Sequence, residues 1–127
     1  MTPTTRTLNL LRSSGYVCAV AERWIPKINR RTDLWHFGDV LAVHSGRRDF
    51  LIVQCTSLGN VSARLSKARA QGELQAWLQA GGRFEVHGWN GRKVKIITLR
   101  PEDMTAVILA KPARKPRGQW QPSELFV

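Results

Sequence analysis

The segment FGDVLAVHSGRRDFLIVQCT, residues 37–56, sets the strand pattern from which the rest of the chain can be placed. It contains two runs of β-formers, Phe37 to His44 and Phe50 to Thr56, separated by the turn-forming stretch Ser45-Gly46-Arg47-Arg48-Asp49. Such a pattern predicts an antiparallel hairpin. Side chains alternate across a strand, so Phe50, Ile52, Gln54 and Thr56 share one face and Leu51, Val53 and Cys55 the other. If the strands pair across Gly46, Asp39 at the start of the first lies beside Gln54 and Thr56 at the end of the second.

Working outward, Thr5 to Ser13 suits a short helix closed at Ser14-Gly15, and Tyr16 to Ala21 reads as a strand with Glu22 at its end. A charged loop, Arg23 to Asp33, precedes the hairpin. Downstream, Asn60 to Ala80 reads as one helix with an apolar face of Val61, Leu65, Ala68, Leu74, Trp77 and Leu78, ended by Gly81-Gly82. Gly72 is its weak point, costing about 1 kcal/mol relative to alanine. Arg83 to Trp89 and Lys93 to Leu99 form a second hairpin, for which Asn90-Gly91 suggests a type I′ turn. The expected order is α-β-β-β-α-β-β, an α/β fold with a mixed sheet flanked by helices.

One domain of 127 residues must carry the function. With 43% hydrophobic and 23% charged residues it has the composition of a folded protein, and its 20 Lys and Arg against 9 Asp and Glu give a formal charge of +11. Residues 1–100 hold 16 Lys and Arg against 6 Asp and Glu, so the body rather than the Pro-rich segment 101–127 is the basic part. That segment is expected to be an extended or flexible tail. Arg outnumbers Lys 14 to 6, which favours bidentate phosphate contacts. The sequence shows neither a signal peptide nor a membrane-length apolar run, so a soluble, intracellular (cytoplasmic) protein is expected. Cys18 and Cys55 lack metal-ligand spacing and read as small core residues, while His36, His44 and His87 read as isolated surface or strand-end residues.

Three polar residues lie within or at the ends of apolar strands: Glu22, Asp39 and Gln54. Buried polar groups need partners. Two carboxylates and an amide carbonyl suit a hard cation such as Mg²⁺ or Mn²⁺, which can activate water and stabilise charge on a phosphodiester. The plainer alternative has Asp39 capping a turn, Glu22 paired with Arg23 or Arg31, and Gln54 bonded to a strand edge.

The segment Glu22 to Asp39, followed by Gln54-Cys55-Thr56 within this order of elements, resembles the PD-(D/E)XK nuclease superfamily, especially its branch of Holliday-junction-resolvase-like proteins. The resemblance covers roughly residues 5–99. It implies a restriction-endonuclease-like core in which Asp39 takes the place of the motif Asp, Gln54 that of the E/Q position, and Glu22 that of an additional acid, together holding Mg²⁺ or Mn²⁺. Thr56 stands where the family has lysine, and Lys67, sharing a helical stripe with Arg64, is the candidate for a lysine that has migrated to the following helix. The extra acid also departs from the pattern, because the helix Thr5 to Ser13 contains none.

Arg23, Lys27, Arg30, Arg31 and Arg64 are the expected DNA contacts, with Trp24 and Trp35 beside the basic loop. The resemblance implies a magnesium-dependent endonuclease, a homodimer, acting on duplex or branched DNA in recombination or repair. Two alternatives stand beside it: a catalytically inactive DNA-binding protein of the same fold, and a basic RNA-binding protein.

Overall fold

The computed structural model describes residues 1–105 except Glu22, Pro26, Ile28, Asn29 and His36, and of residues 23–25 and 30–32 the backbone only. The fold is α/β, with an N-terminal helix, a five-stranded mixed sheet and helices between its third and fourth strands.

Helix α1 (Pro3–Ser13) starts two residues earlier than the sequence suggested, because Thr2 caps it, its hydroxyl accepting from the Thr5 N–H, and Pro3 occupies the first turn, where no N–H is required. Gly15, at φ +89°, ends the helix and turns the chain into β1 (Val17–Val20). A Cβ at Gly15 would lie 2.9 Å from the His44 ring. Strands β2 (Arg23–Ile25) and β3 (Arg30–Thr32) form a small separate antiparallel pair, so the segment expected as a loop is largely a hairpin. Its β-branched and aromatic residues, Trp24, Ile25 and Thr32, suit that conformation.

β4 (Val40–His44) and β5 (Asp49–Ser57) form the expected hairpin, and β1 pairs with β4 on its other side. The turn between β4 and β5 places Arg48 at φ +51°. From β5 the chain crosses through α2 (Val61–Arg69) and α3 (Gly72–Gln79) to β6 (Arg83–Asn90), which lies parallel to β5, and β7 (Lys93–Leu99) closes the order β1-β4-β5-β6-β7.

Residues 60–80 thus form two helices rather than one. Gln71 is extended (φ −94°, ψ 118°) and Gly72 opens the second helix, a change of direction that lets Leu74 and Leu78 pack with Phe84 and Val86 of β6. The break leaves the Arg69 carbonyl without a helical partner, and the Thr105 N–H and hydroxyl donate to it at 3.2 and 3.0 Å. Met104 packs on the same core. Residues 101–105 therefore belong to the folded body rather than to a tail, and the expectation for 106–127 lies outside the described residues.

The β6–β7 turn also departs from expectation. Asn90 pairs with Lys93, so Gly91 and Arg92 form the loop, and only Gly91 has positive φ (+59°). Glycine at the first central position is the requirement of a type II′ turn, not I′.

Two cores lie on opposite faces of the sheet. Leu11, Tyr16, Val40, Ala42, Leu51, Val53 and Cys55 pack under α1, whereas Phe37, Ile52, Val61, Ala68, Leu74, Leu78, Phe84 and Val86 pack under α2 and α3. This split matches the alternation read from residues 50–56. On the second face the helices stop short of β1 and β4, and the cross-strand row Val17, Val43 and Phe50 is exposed together with Leu41. No described helix is long and apolar enough to cross a membrane.

Candidate metal and phosphate site beside Asp39

Asp39 immediately precedes β4, with its N–H donating to the Val53 carbonyl and its own carbonyl accepting from Ala21. These backbone bonds set its side chain against the end of β5. Its carboxylate Oδ2 accepts from the Gln54 side-chain amide at 2.6 Å and from the Cys55 backbone N–H at 2.8 Å. Both Asp39 and Gln54 are buried, as is Thr56. The two residues singled out from the sequence therefore meet directly.

With Nε2 committed to Asp39, Gln54 retains Oε1 as its acceptor, the atom an amide offers to a hard cation. Among the described residues no group of three His, Cys, Asp or Glu is arranged to hold a metal. The Asp39–Gln54 pair therefore supplies at most part of a coordination shell. Glu22, the expected third oxygen donor, lies outside the described residues.

The other sequence candidates are only partly placed. Lys67 is exposed on α2, and its ammonium makes no hydrogen bond or ion pair among the described residues. Val61, Leu65 and Ala68 form the inward face of α2, and Arg64 on its flank is half-buried. Thus α2 sits on the face of the sheet that carries Gln54, with no contact joining Lys67 to Asp39 or Gln54. Arg23, Arg30 and Arg31 belong to β2 and β3, Arg31 opposite Trp24 and Arg30 opposite Ile25, and their side chains lie outside the described residues. Lys27, between the two strands, is exposed.

Sequence reasoning missed a second polar cluster, beneath α1. Arg83, Glu85, His87 and Trp89 alternate along β6 with the core residues Phe84 and Val86, a period-two signal visible in the sequence. His87 is 1% exposed, not a surface or strand-end residue. Its Nε2 meets Glu85 Oε1 at 2.9 Å and its Nδ1 meets the Thr7 hydroxyl at 3.2 Å. The Trp89 indole N–H donates to the same hydroxyl at 2.9 Å. Because an indole can only donate, the Thr7 hydroxyl accepts from Trp89, and it shares its second hydrogen bond with His87 Nδ1.

Arg83 bridges Glu85 at 2.8 Å and Asp49 at 2.5 Å, and the Tyr16 hydroxyl donates to Asp49. Burial, and then the bond to Asp49, pushes the Tyr16 phenol above its ordinary value. Burial pulls the Arg83 guanidinium down, but Asp49 and Glu85 outweigh it and the net shift is upward. This chain ties α1 to β6 and β5 and satisfies groups that would be costly to bury alone.

Asp39, Asp49 and Glu85 thus direct half of the body's six acids inward, whereas the body's 16 basic residues are mostly at the surface among those described. Cys18 and Cys55 form no disulfide among the described residues, and Cys55 lies in the core beneath α1.

Comparison of the chain with protein-family models, with curated proteins and with solved structures finds no match.

Proposed function

We propose that this protein is a metal-dependent DNA endonuclease of PD-(D/E)XK type, acting on duplex or branched DNA as Holliday-junction resolvases do. The observation that carries the proposal is the meeting of Asp39 and Gln54 at the end of a central strand, in the hairpin-then-crossover order that the resemblance requires. Asp39 and Gln54, with Glu22, would hold Mg²⁺ or Mn²⁺. When bound there, the ion would supply Lewis-acid stabilisation of the phosphodiester and acidify water for attack.

The protein's own groups have separate tasks. The Gln54 amide and the Cys55 N–H fix the orientation of the Asp39 carboxylate, so that it need not reorganise as charge develops. Thr56 has no charge to offer, so a cation must reach the phosphate from α2 or the β2–β3 pair. Lys67, Arg64, Arg23, Lys27, Arg30 and Arg31 are assigned that role. A homodimer would present two such sites to two strands about a two-fold axis. The exposed row Val17, Val43 and Phe50, which carries no charge to attract a polyanion, is the part of the surface suited to a second copy. A DNA substrate places this work inside the cell.

Threonine at the lysine position favours a second reading, in which the fold binds DNA without cutting it. The two separate in one assay, with four-way junction, nicked, duplex and single-stranded DNA incubated in Mg²⁺, Mn²⁺ or EDTA. Metal-dependent cleavage that Asp39→Ala abolishes while binding persists supports the endonuclease. Binding without cleavage under every metal condition overturns it.

A further inference from the structure

On the α1 side of the sheet, a groove of about 360 Å³ opens between α1 and the β6–β7 turn, lined by Arg6, Asn9, Leu10, Ser13, Trp89 and Arg92 with Met1 at its rim. Its volume falls within the range of about 300–1,000 Å³ that small ligands occupy. Its lining includes two arginines and no acid. Trp89 is half-buried, and its indole N–H is held by Thr7, which His87 and Glu85 hold in turn. The ring is thereby fixed by a buried polar chain while part of its surface faces the groove.

From this arrangement we propose that the groove binds one unpaired nucleotide of a DNA strand, the base against Trp89 and the flanking phosphates on Arg6 and Arg92. The chemistry selects that occupant. An indole offers a stacking surface to any base, but in a duplex both base faces are already covered, so only an unpaired base gains from it. Two guanidiniums with no neighbouring acid favour phosphate, and Asn9 offers both a donor and an acceptor to a base edge. The groove lies on the opposite face from Gln54 but toward the same end of the sheet, since Ser57 pairs with Trp89 as Gln54 pairs with Val86. The inference concerns binding alone: the preference for an unpaired base stands whether or not Asp39 supports cleavage, and the assignment to DNA rests on the proposed function.

The test is fluorescence anisotropy in EDTA with a labelled oligo-dT strand, a duplex of equal length and an oligo-rU strand. Arg6→Ala/Arg92→Ala changes only groove-side charges and should weaken oligo-dT binding roughly tenfold, with the salt slope reduced by about 1.4 for two lost phosphate contacts. Trp89→Ala should weaken it about as much, and Trp89→Phe, which keeps a ring but loses the N–H, should retain most of it. Duplex binding should stay within about twofold throughout. Unchanged oligo-dT affinity in the double arginine variant, or an equal loss for duplex, overturns the proposal. Tighter binding of oligo-rU than oligo-dT overturns its assignment to DNA. Thermal melting of each variant separates lost binding from lost fold.

Discussion

Asp39 and Gln54, fifteen residues apart in sequence, are joined by a 2.6 Å hydrogen bond in which the amide donates to the carboxylate. The bond gives Asp39 a structural task alongside the chemical one proposed for it, and the two can be separated by substitution. Asp39→Asn retains an oxygen that can accept from Gln54 and Cys55 but removes the charge a cation needs. Cleavage in Mg²⁺ should fall at least about a hundredfold, as when a charged group acting on the transition state is lost, with DNA affinity held within about twofold. Asp39→Ala, by contrast, removes the acceptor that the Gln54 amide and the Cys55 N–H share and should cost about 1–3 kcal/mol in urea unfolding.

Gln54→Glu would set a second carboxylate against Asp39. Without metal the like charges should lower the melting temperature at neutral pH, and the penalty should shrink as pH falls toward the ordinary carboxylate value near 4, because crowding and burial make one of the pair take up a proton above that value. Added Mg²⁺ should raise the melting temperature of this variant more than that of the parent. Equal shifts in the two proteins would show that this pair does not hold the ion.

Tyr16 predicts a pH dependence at the other end of the scale. Its phenol is raised in the folded state by burial and by Asp49, so the native protein holds the proton to higher pH than the unfolded chain does. The resulting stability is complete below the ordinary tyrosine value near 10 and is lost as pH rises through the folded value. Tyr16→Phe should therefore show a shallower decline in melting temperature above about pH 10 than the parent, alongside a lower stability at neutral pH from the lost bond to Asp49.

Gly88 is a point of close approach between the crossover and the sheet. A Cβ there would lie 2.2 Å from Val61 Cγ2 and 3.3 Å from the Leu58 Cα. Gly88→Ala should destabilise the fold by about 1–3 kcal/mol. Chemical denaturation should show a smaller penalty for the same change in a Val61→Ala background, because the side chain nearest the added methyl has then been cut back.

Strand identity, the hairpin at Gly46 and the facing of Gln54 and Thr56 were legible from residues 37–56, because alternation with period two is imposed by the local backbone. The broken helix was less so. Gly72 signalled weakness, but the turn at Gln71 depends on Leu74 and Leu78 reaching Phe84 and on Thr105 returning to cap Arg69, neither of which is local. The β2–β3 pair was hidden because each strand spans only three residues, too few for period-two alternation to show.

Local chemistry in the sequence thus determined the chain order of the five main-sheet strands, the basic character of the body and the candidacy of Asp39 and Gln54. Only the tertiary structure decided that these two touch, that α2 leaves Lys67 exposed on its outer face, and that Thr7 meets His87 across eighty residues. Alternation states which face a residue occupies, but partners distant in sequence are chosen by how helices dock on the sheet. That choice follows from burying two cores at once, a property of the whole chain and not of any segment within it.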